Sequence, residues 1–423
     1  MRYPFIAFIS FTVFTILIDY LLYRHLNKLY PKKQKTHFTF PTGDFWFYAG
    51  ALFFTIVFFV AWLYVVYANS PSDYTLFMWL LMLYLLIYVP KLFYLLVYGI
   101  TSLVDDLFDK LKTNRRPKKI NEGRYPRMSR KKFLSQVGIV MASAPFVSLM
   151  FGVLKGRFAF DITRTRIPLR NLPKAFNGLK IVQISDIHLG SFNSNHKEIE
   201  KVMEMINNEK PDIICFTGDL VNNFQEETIG WDDIFNRLEA PLGKFSILGN
   251  HDYGNYSRWK SREEKAANFE GIKDASARFG FKLLKNESVV ISHKGEQIAL
   301  VGVENWGHPP FPKYGDLTLA EKDVKDIPFK ILLTHDPDHW DAEVLKKKPY
   351  SLTLSGHTHG MQFGLMYKKF QWSPAKYKFR RWAGLYQTNN QYLYVNRGLG
   401  YLGMPARVGM PPEITVLELY TQA

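Results

Sequence analysis

Four long apolar runs, separated by polar segments, occupy the first 156 residues of the chain. Each run is long enough to cross the hydrocarbon part of a bilayer as a helix. Pro90 and Lys91 interrupt the third run, and we expect the proline to kink that helix and the lysine side chain to reach the membrane interface. The pattern therefore predicts a membrane domain over residues 1–156 with about four transmembrane helices, at about 5–23, 45–68, 74–100 and 133–154.

From residue 157 to residue 423 the pattern changes to short apolar runs separated by mixed stretches. Two of the mixed stretches, 196–209 and about 261–279, are typical of helices. Eight of the short runs are typical of strands: LKIVQIS, PDIICFT, KFSIL, QIALVGV, FKILLT, YSLTL, QYLYV and EITVLEL. Strands mixed with helices in this way predict a second domain of the α/β class.

Five of these predicted strands run directly into residues that can bind metals. The motifs are Asp186-Ile187-His188, Gly218-Asp219, Gly249-Asn250-His251-Asp252, His335-Asp336 and Gly356-His357-Thr358-His359. Sites in α/β sheets form at the carboxyl ends of strands, so we expect these side chains to converge. Carboxylate, amide and imidazole donors without a thiolate suit divalent Mn, Fe, Zn or Co.

In this order, the five motifs resemble those of the calcineurin-like metallophosphoesterases, over about residues 178–420. The segment YVNRGLGYLGMPARVGMPPEITVLEL is similar to the C-terminal part of the membrane-anchored bacterial subgroup. That subgroup is related to transmembrane proteins with a metallophosphoesterase domain and, more distantly, to UDP-diacylglucosamine pyrophosphatases. The resemblance implies a sandwich of two β-sheets flanked by helices.

The resemblance also implies a role for each residue of the motifs. Two adjacent divalent metal ions would be bound, with Asp219 between them. The first ion would be held by Asp186, His188, Asp219 and His359, and the second by Asp219, Asn250, His335 and His357. His335 is preferred over His339 as a ligand because it follows its strand directly.

Three further residues have expected roles near the substrate. His251 would contact the phosphoryl oxygen or the leaving group, and Asp252 would orient His251. Arg397 is either a phosphate contact or a structural arginine. A phosphorylated molecule is thus the expected substrate.

The basic charge of the chain belongs to the apolar part. Residues 1–156 contain 19 Lys and Arg against 7 Asp and Glu, whereas residues 157–423 contain 35 against 31. The second domain is therefore nearly neutral, and we expect membrane lipids but no nucleic acid among its partners.

Lys and Arg are concentrated in the first and third loops between the apolar runs, and the second loop, NSPSD, has neither. By the positive-inside rule, the first and third loops are cytoplasmic. In a multi-pass protein of the cell membrane with four spans, the second domain then lies outside the cell. If the fourth run only lies on the membrane, that domain faces the cytoplasm instead.

The sequence thus predicts a dinuclear phosphoesterase that hydrolyses a phosphoester or pyrophosphate bond. Attachment to a membrane favours a lipid-linked or membrane-proximal substrate. Molecules of the UDP-diacylglucosamine type are examples of such a substrate. One alternative is a metal-dependent nuclease or cyclic phosphodiesterase, and a nuclease should have a basic groove. Another is a non-catalytic membrane scaffold, which should have lost some of the seven metal ligands.

Overall fold

The computed structural model describes residues 4–29, 43–67, 70–111, 130–192, 195–307, 312–367 and 370–422. Most of the basic loop residues that carry the topology prediction lie outside these ranges. The chain divides into two compact units. The first unit comprises Met1–Val66 and Trp79–Phe151, and the second comprises Tyr67–Met78 and Gly152–Ala423.

The apolar runs form four helices, as predicted: α1 (Pro4–Leu29), α2 (Gly43–Tyr67), α3 (Pro71–Leu111) and α4 (Arg130–Leu154). Three stretches of the described residues are long and apolar enough to cross a membrane, namely Ile9–Leu29, Pro71–Phe108 and Lys132–Phe158. The corresponding stretch of α2 is shorter, Phe47–Val60. The fourth predicted run therefore has the length and composition of a span.

A buried charge pair joins α1 to α3. Nζ of Lys91 lies 2.7 Å from Oδ1 of Asp19, and the hydroxyl of Tyr88 donates to Oδ2 of Asp19 at 2.7 Å. The ammonium group of Lys91 thus has a carboxylate partner within the helical unit, which the sequence did not indicate. Charges among apolar helices are tolerated when they are paired in this way.

The second unit contains fourteen strands among its described residues. In chain order they are β1 (Asp161–Leu169), β2 (Leu179–Ile184), β3 (Ile213–Phe216), β4 (Lys244–Ser246), β5 (Lys282–Leu283), β6 (Glu287–His293), β7 (Glu296–Gly302), β8 (Lys330–Leu333), β9 (Leu352–Ser355), β10 (Leu365–Tyr367), β11 (Phe370–Trp372), β12 (Gly384–Thr388), β13 (Gln391–Val395) and β14 (Glu413–Thr421). The order is β1-β14-β2-β3-β4-β5 in one six-stranded sheet and β12-β13-β9-β8-β7-β6 in the other. β10 and β11 form a separate hairpin.

The two large sheets pack face to face with helices outside them. Side chains of both sheets, such as Ile181 and Leu333, share one apolar core. The helices of this unit are α5 (Leu189–Phe192), α6 (His196–Asn208), α7 (Asp232–Phe235), α8 (Arg262–Arg278) and α9 (Leu317–Ala320). Residues of α6, α7 and α8 pack in a second core with the outer face of the first sheet, and α9 packs in a third core with the second sheet. The predicted α/β sandwich of two sheets flanked by helices is confirmed.

All eight predicted strands and both predicted helices of this unit are present. The nine-residue strand β1 was missed, although it pairs with β14 along its whole length. The reason is that β1 lies at the edge of its sheet, where Arg164 and Arg166 are exposed, so that its sequence lacks a continuous apolar run.

The buried carboxylate of Glu227 organises the loops that follow β2 and β3. It accepts hydrogen bonds from the backbone N–H groups of Gly190 at 3.0 Å, Asn222 at 2.6 Å, Asn223 at 3.0 Å and Phe224 at 3.0 Å. These donors would otherwise be buried without partners, which costs about 1–3 kcal/mol each. The carboxylate thus provides the hydrogen-bond acceptors that a regular helix or strand would provide for these N–H groups.

Glu227→Gln is expected to lower the free energy of unfolding by about 2–4 kcal/mol, because an amide NH₂ would face backbone donors. The control is Glu226→Gln, since Glu226 is the exposed neighbour. The check is the unfolding temperature of both variants in detergent. Equal unfolding temperatures would contradict the role given to Glu227.

Candidate metal centre

The candidate ligands are brought together by parallel strands of both sheets. β2, β3 and β4 run parallel, and Asp186, His188, Asp219 and Asn250 follow them in turn. In the second sheet β8 and β9 run parallel and are followed by His335, His357 and His359. The five strands therefore deliver their side chains to one end of the sandwich, as expected for a site in an α/β fold.

Asp186, His188, Asp219 and His359 form the first cluster of donor atoms. Nε2 of His359 lies 3.2 Å from Oδ1 of Asp186 and 3.2 Å from Nε2 of His188. Nε2 of His188 lies 3.7 Å from Oδ2 of Asp219. These are the four residues expected around a first metal ion.

Asp219, Asn250, His335 and His357 form the second cluster. Oδ1 of Asn250 lies 2.8 Å from Nδ1 of His357 and 3.0 Å from Nε2 of His335. The two ring nitrogens are 3.2 Å apart. Oδ2 of Asp219, which also belongs to the first cluster, lies 3.3 Å from Nε2 of His335.

The spacing of these atoms fits metal coordination. Ligands bound at about 2.1 Å to one ion are about 3.0–3.4 Å apart in octahedral or tetrahedral geometry. Asp186, His188 and His359 form one group of possible metal ligands, and Asp186, Asp219 and His335 form another. The donors are two carboxylates, one amide and four imidazoles, the set that borderline divalent metals prefer.

The electrostatics of the centre keep the carboxylates charged. Burial alone would raise the pKa of Asp186, but its interactions with His359 and His335 together hold the pKa below the usual range. Burial would likewise raise the pKa of Asp219, and here His335 has the opposing effect and holds the pKa low. For His335, burial lowers the pKa, but the Asp219 carboxylate raises it to about 10. Metal binding at the second cluster must therefore displace a proton from His335.

His188 and His357, two further candidate ligands, are neutral. Burial lowers the pKa of His188 to about 3 and that of His357 to about 4. A neutral imidazole has a free lone pair for a metal ion. Both rings are therefore in the form that can act as a ligand at neutral pH.

Five of the seven candidate ligands have left-handed backbone conformations. Their φ angles are 48° at Asp186, 51° at His188, 60° at Asp219, 76° at His357 and 50° at His359. Such conformations cost about 1–2 kcal/mol for residues other than glycine and persist where the surrounding structure enforces them. The surrounding sandwich thus enforces the backbone conformation of these ligands.

Two glycines of the motifs are required by close contacts. A Cβ atom at Gly249 would lie 2.1 Å from Oδ1 of Asp219, and one at Gly356 would lie 2.3 Å from Oδ2 of Asp186. Real side chains do not approach so closely. The glycines therefore let two strand ends reach the carboxylates of the centre.

His251 lies next to the first cluster, and its ring packs edge-on against His188 with 5.0 Å between centroids. Nδ1 of His251 lies 2.7 Å from the carbonyl oxygen of Asn222, so that it carries a hydrogen and donates it to this oxygen. Nε2 is then the nitrogen left for a substrate. Burial lowers the pKa of His251, and the charge of Asp219 opposes this effect.

The expected orientation of His251 by Asp252 is not what the structure shows. The Asp252 carboxylate accepts hydrogen bonds from the backbone N–H groups of Asp219, Leu220 and Gly249 at 2.8–2.9 Å. It therefore fixes the loops after β3 and β4. The sequence could not reveal this, because a backbone carbonyl and a neighbouring carboxylate are equally good partners for an imidazole.

Arg397 and His339 both make contacts outside the two clusters. Nε of Arg397 donates to Glu413 at 2.8 Å, and its Nη2 lies 3.7 Å from Asp161. These contacts favour a structural role for Arg397 over a phosphate contact. The ring of His339 lies between Thr334, 2.9 Å from Nδ1, and Glu343, 3.2 Å from Nε2.

Arg407 was missed by the sequence reasoning. This buried guanidinium donates to the carbonyl oxygens of Arg397, Gly398 and Gly400, and its Nη2 lies 3.3 Å from Nδ1 of His359. It holds the loop after β13 against the first cluster. The signal in the sequence was an arginine among mostly apolar residues, in the segment MPARVGMPPE. Most residues of this segment are buried in the structure.

Comparison with known proteins agrees with this geometry. Residues 179–361 match the family described as calcineurin-like phosphoesterase. The metallophosphoesterase YkuE of Bacillus subtilis is 33% identical over 302 residues, which are 69% of this chain and 98% of YkuE. The chain belongs to the calcineurin-like phosphoesterase family. It is accordingly a hydrolase that acts on phosphoester bonds.

The membrane part and two further relatives extend this picture. Residues 1–157 match the family described as "Probable Calcineurin-like phosphoesterase, transmembrane domain", and the chain is a membrane protein. The UDP-2,3-diacylglucosamine pyrophosphatase LpxG of Chlamydia trachomatis is 32% identical over 304 residues, covering 59% of this chain and 86% of LpxG. A transmembrane protein with metallophosphoesterase domain from Danio rerio is 28% identical, over 64% of this chain and 60% of that protein.

His335→Ala is expected to lower the Mn²⁺ retained per chain after dialysis, because the second cluster loses an imidazole donor. His339→Ala is the matched control, since it removes the other buried histidine of the same segment. Metal content is measured by inductively coupled plasma mass spectrometry. Equal metal content in the two variants would rule out the ligand role of His335.

Proposed function

We propose that this chain hydrolyses a phosphoester or pyrophosphate bond of a lipid-linked substrate, using two divalent metal ions. The observation that carries the proposal is the position of Oδ2 of Asp219, 3.7 Å from Nε2 of His188 and 3.3 Å from Nε2 of His335. One carboxylate oxygen is thus shared by two complete sets of donor atoms. The proposed ligands are Asp186, His188, Asp219, Asn250, His335, His357 and His359.

Bound divalent ions would supply Lewis acidity towards water and phosphoryl oxygens. The donor set suits Mn, Fe, Zn or Co. The chain itself contributes a fixed arrangement of charge. Asp186 and Asp219 are the two carboxylates among the seven ligands, so that two divalent ions would leave a net positive centre for a phosphate group.

His251 is the proposed contact for the phosphoryl oxygen or the leaving group, and it would donate a proton from Nε2 when its ring is doubly protonated. The hydrogen bond from its Nδ1 to the Asn222 carbonyl fixes the ring and reserves Nε2 for the substrate. Proton transfer by a positioned imidazole typically contributes about 10²–10⁴ in rate. Asp252 supports this residue indirectly, because the loop that bears His251 is held by its carboxylate.

Two observations support a lipid-linked pyrophosphate as the substrate. LpxG, whose name specifies a UDP-2,3-diacylglucosamine pyrophosphatase, is 32% identical to this chain. The catalytic part also belongs to a membrane protein, which places it near lipids.

His251→Ala is expected to reduce kcat for pyrophosphate hydrolysis by about 10²–10⁴, and Asp219→Ala to abolish it. The assay follows UMP release from UDP-2,3-diacylglucosamine by the Mn²⁺-loaded protein, with His293→Ala as a control at the end of β6. UDP-N-acetylglucosamine, which lacks the acyl chains, is expected to react at least about 100-fold more slowly in kcat/KM because no apolar surface is buried. Full activity of either active-site variant would refute the mechanism, and equal rates on both nucleotides would refute the lipid preference.

We propose that residues 1–156 form the membrane domain and that residues 157–423 form a catalytic domain outside the cell. The support is the Lys and Arg content of the first and third loops. A C-terminal fusion to alkaline phosphatase is expected to be active, and one to green fluorescent protein to be dark. The opposite pair of results would place the catalytic domain in the cytoplasm.

A further inference from the structure

Tyr256 contacts both Asn250 and His251 in the loop after β4. Its hydroxyl oxygen accepts a hydrogen bond from Nδ2 of Asn250 at 2.8 Å. Its ring stacks on the ring of His251, with 4.4 Å between centroids and 20° between planes. None of the motifs in the sequence includes this tyrosine.

The orientation of the Asn250 amide decides whether it can bind a metal ion. Its Oδ1 faces Nδ1 of His357 and Nε2 of His335, and its Nδ2 points away towards Tyr256. The amide oxygen has lone pairs for a cation, whereas the NH₂ group has none. Rotation of the amide by half a turn would therefore remove a ligand from the second cluster.

We propose that the hydroxyl of Tyr256 is a positioning group that fixes the Asn250 amide with Oδ1 towards the second metal ion. Its oxygen accepts a hydrogen bond from the NH₂ end of the amide. Because a phenolic hydroxyl can also donate, this contact holds the position of the amide, and a bound ion would select its oxygen end. This inference rests on the two-ion function proposed above.

The loop of Tyr256 is itself anchored by contacts away from the metal ligands. Its backbone N–H donates to Oδ1 of Asn223 at 3.3 Å, and its carbonyl oxygen accepts a hydrogen bond from the hydroxyl of Tyr74. Tyr74 lies in the stretch Tyr67–Met78 of the same compact unit, and its ring packs against Phe224 at 5.8 Å. The position of the tyrosine is thus supported by contacts that do not involve the metal ligands.

The test is Tyr256→Phe in the full-length chain, which keeps the ring that stacks on His251 and removes only the hydroxyl. Mn²⁺ binding is measured by titration calorimetry on metal-free protein in detergent. The second ion is expected to bind about 10–100-fold more weakly, the usual effect of removing a group that orients a ligand, and the first ion to bind unchanged. Tyr253→Phe is the matched control, because its hydroxyl donates to Glu304 at 3.0 Å.

A second comparison separates the loss of this hydrogen bond from a general loosening of the loop. Tyr74→Phe removes a hydroxyl that donates to the carbonyl oxygen of Tyr256 and leaves the Tyr256 hydroxyl in place. Its affinity for the second ion is expected to stay within about threefold of the wild type, because Asn223 still holds the backbone of Tyr256. The same loss in both variants, or binding by Tyr256→Phe within about threefold of the wild type, would overturn the inference.

The two proposals fail in different ways. A wild-type chain that binds fewer than two ions, or that hydrolyses no phosphoester, would refute the proposed function and this inference with it. A wild-type chain that binds two ions and hydrolyses its substrate, with an unchanged Tyr256→Phe variant, would refute the inference alone.

Discussion

The shared carboxylate of Asp219 is the constraint on which the rest of the catalytic unit depends. A buried charge of this kind is stable only when it is paired or hydrogen-bonded. One of its oxygens accepts the N–H of His251, and the other lies near imidazoles from both sheets. The two sheets must therefore pack with these strand ends facing each other, which links the architecture of the sandwich to its chemistry.

Much of this arrangement could be predicted because it depends on residue type and on strand order. Apolar strands followed by Asp, Asn and His are visible in the sequence, and parallel strands bring such ends together. The glycines at 249 and 356 are also visible, although the reason for them requires coordinates: a Cβ atom there would lie only 2.1–2.3 Å from a carboxylate oxygen. The resemblance to a known family then indicated that Asp219 would bind both ions.

The parts that could not be predicted are contacts between groups with several equally good partners. Asp252 lies next to His251 in sequence but binds backbone amides, and Glu227 binds four more. Lys91 pairs with Asp19, from which it is separated by 72 residues. In each case the local sequence gives the donor or acceptor, and only the tertiary structure selects its partner.

The hydrogen bond between His251 and the Asn222 carbonyl has an evolutionary consequence. Because the accepting atom belongs to the main chain, exchange of the residue 222 side chain leaves the acceptor in place. This hydrogen bond therefore places no demand on the type of side chain at position 222. Alignments that track side chains would consequently overlook the atom that orients the ring of His251.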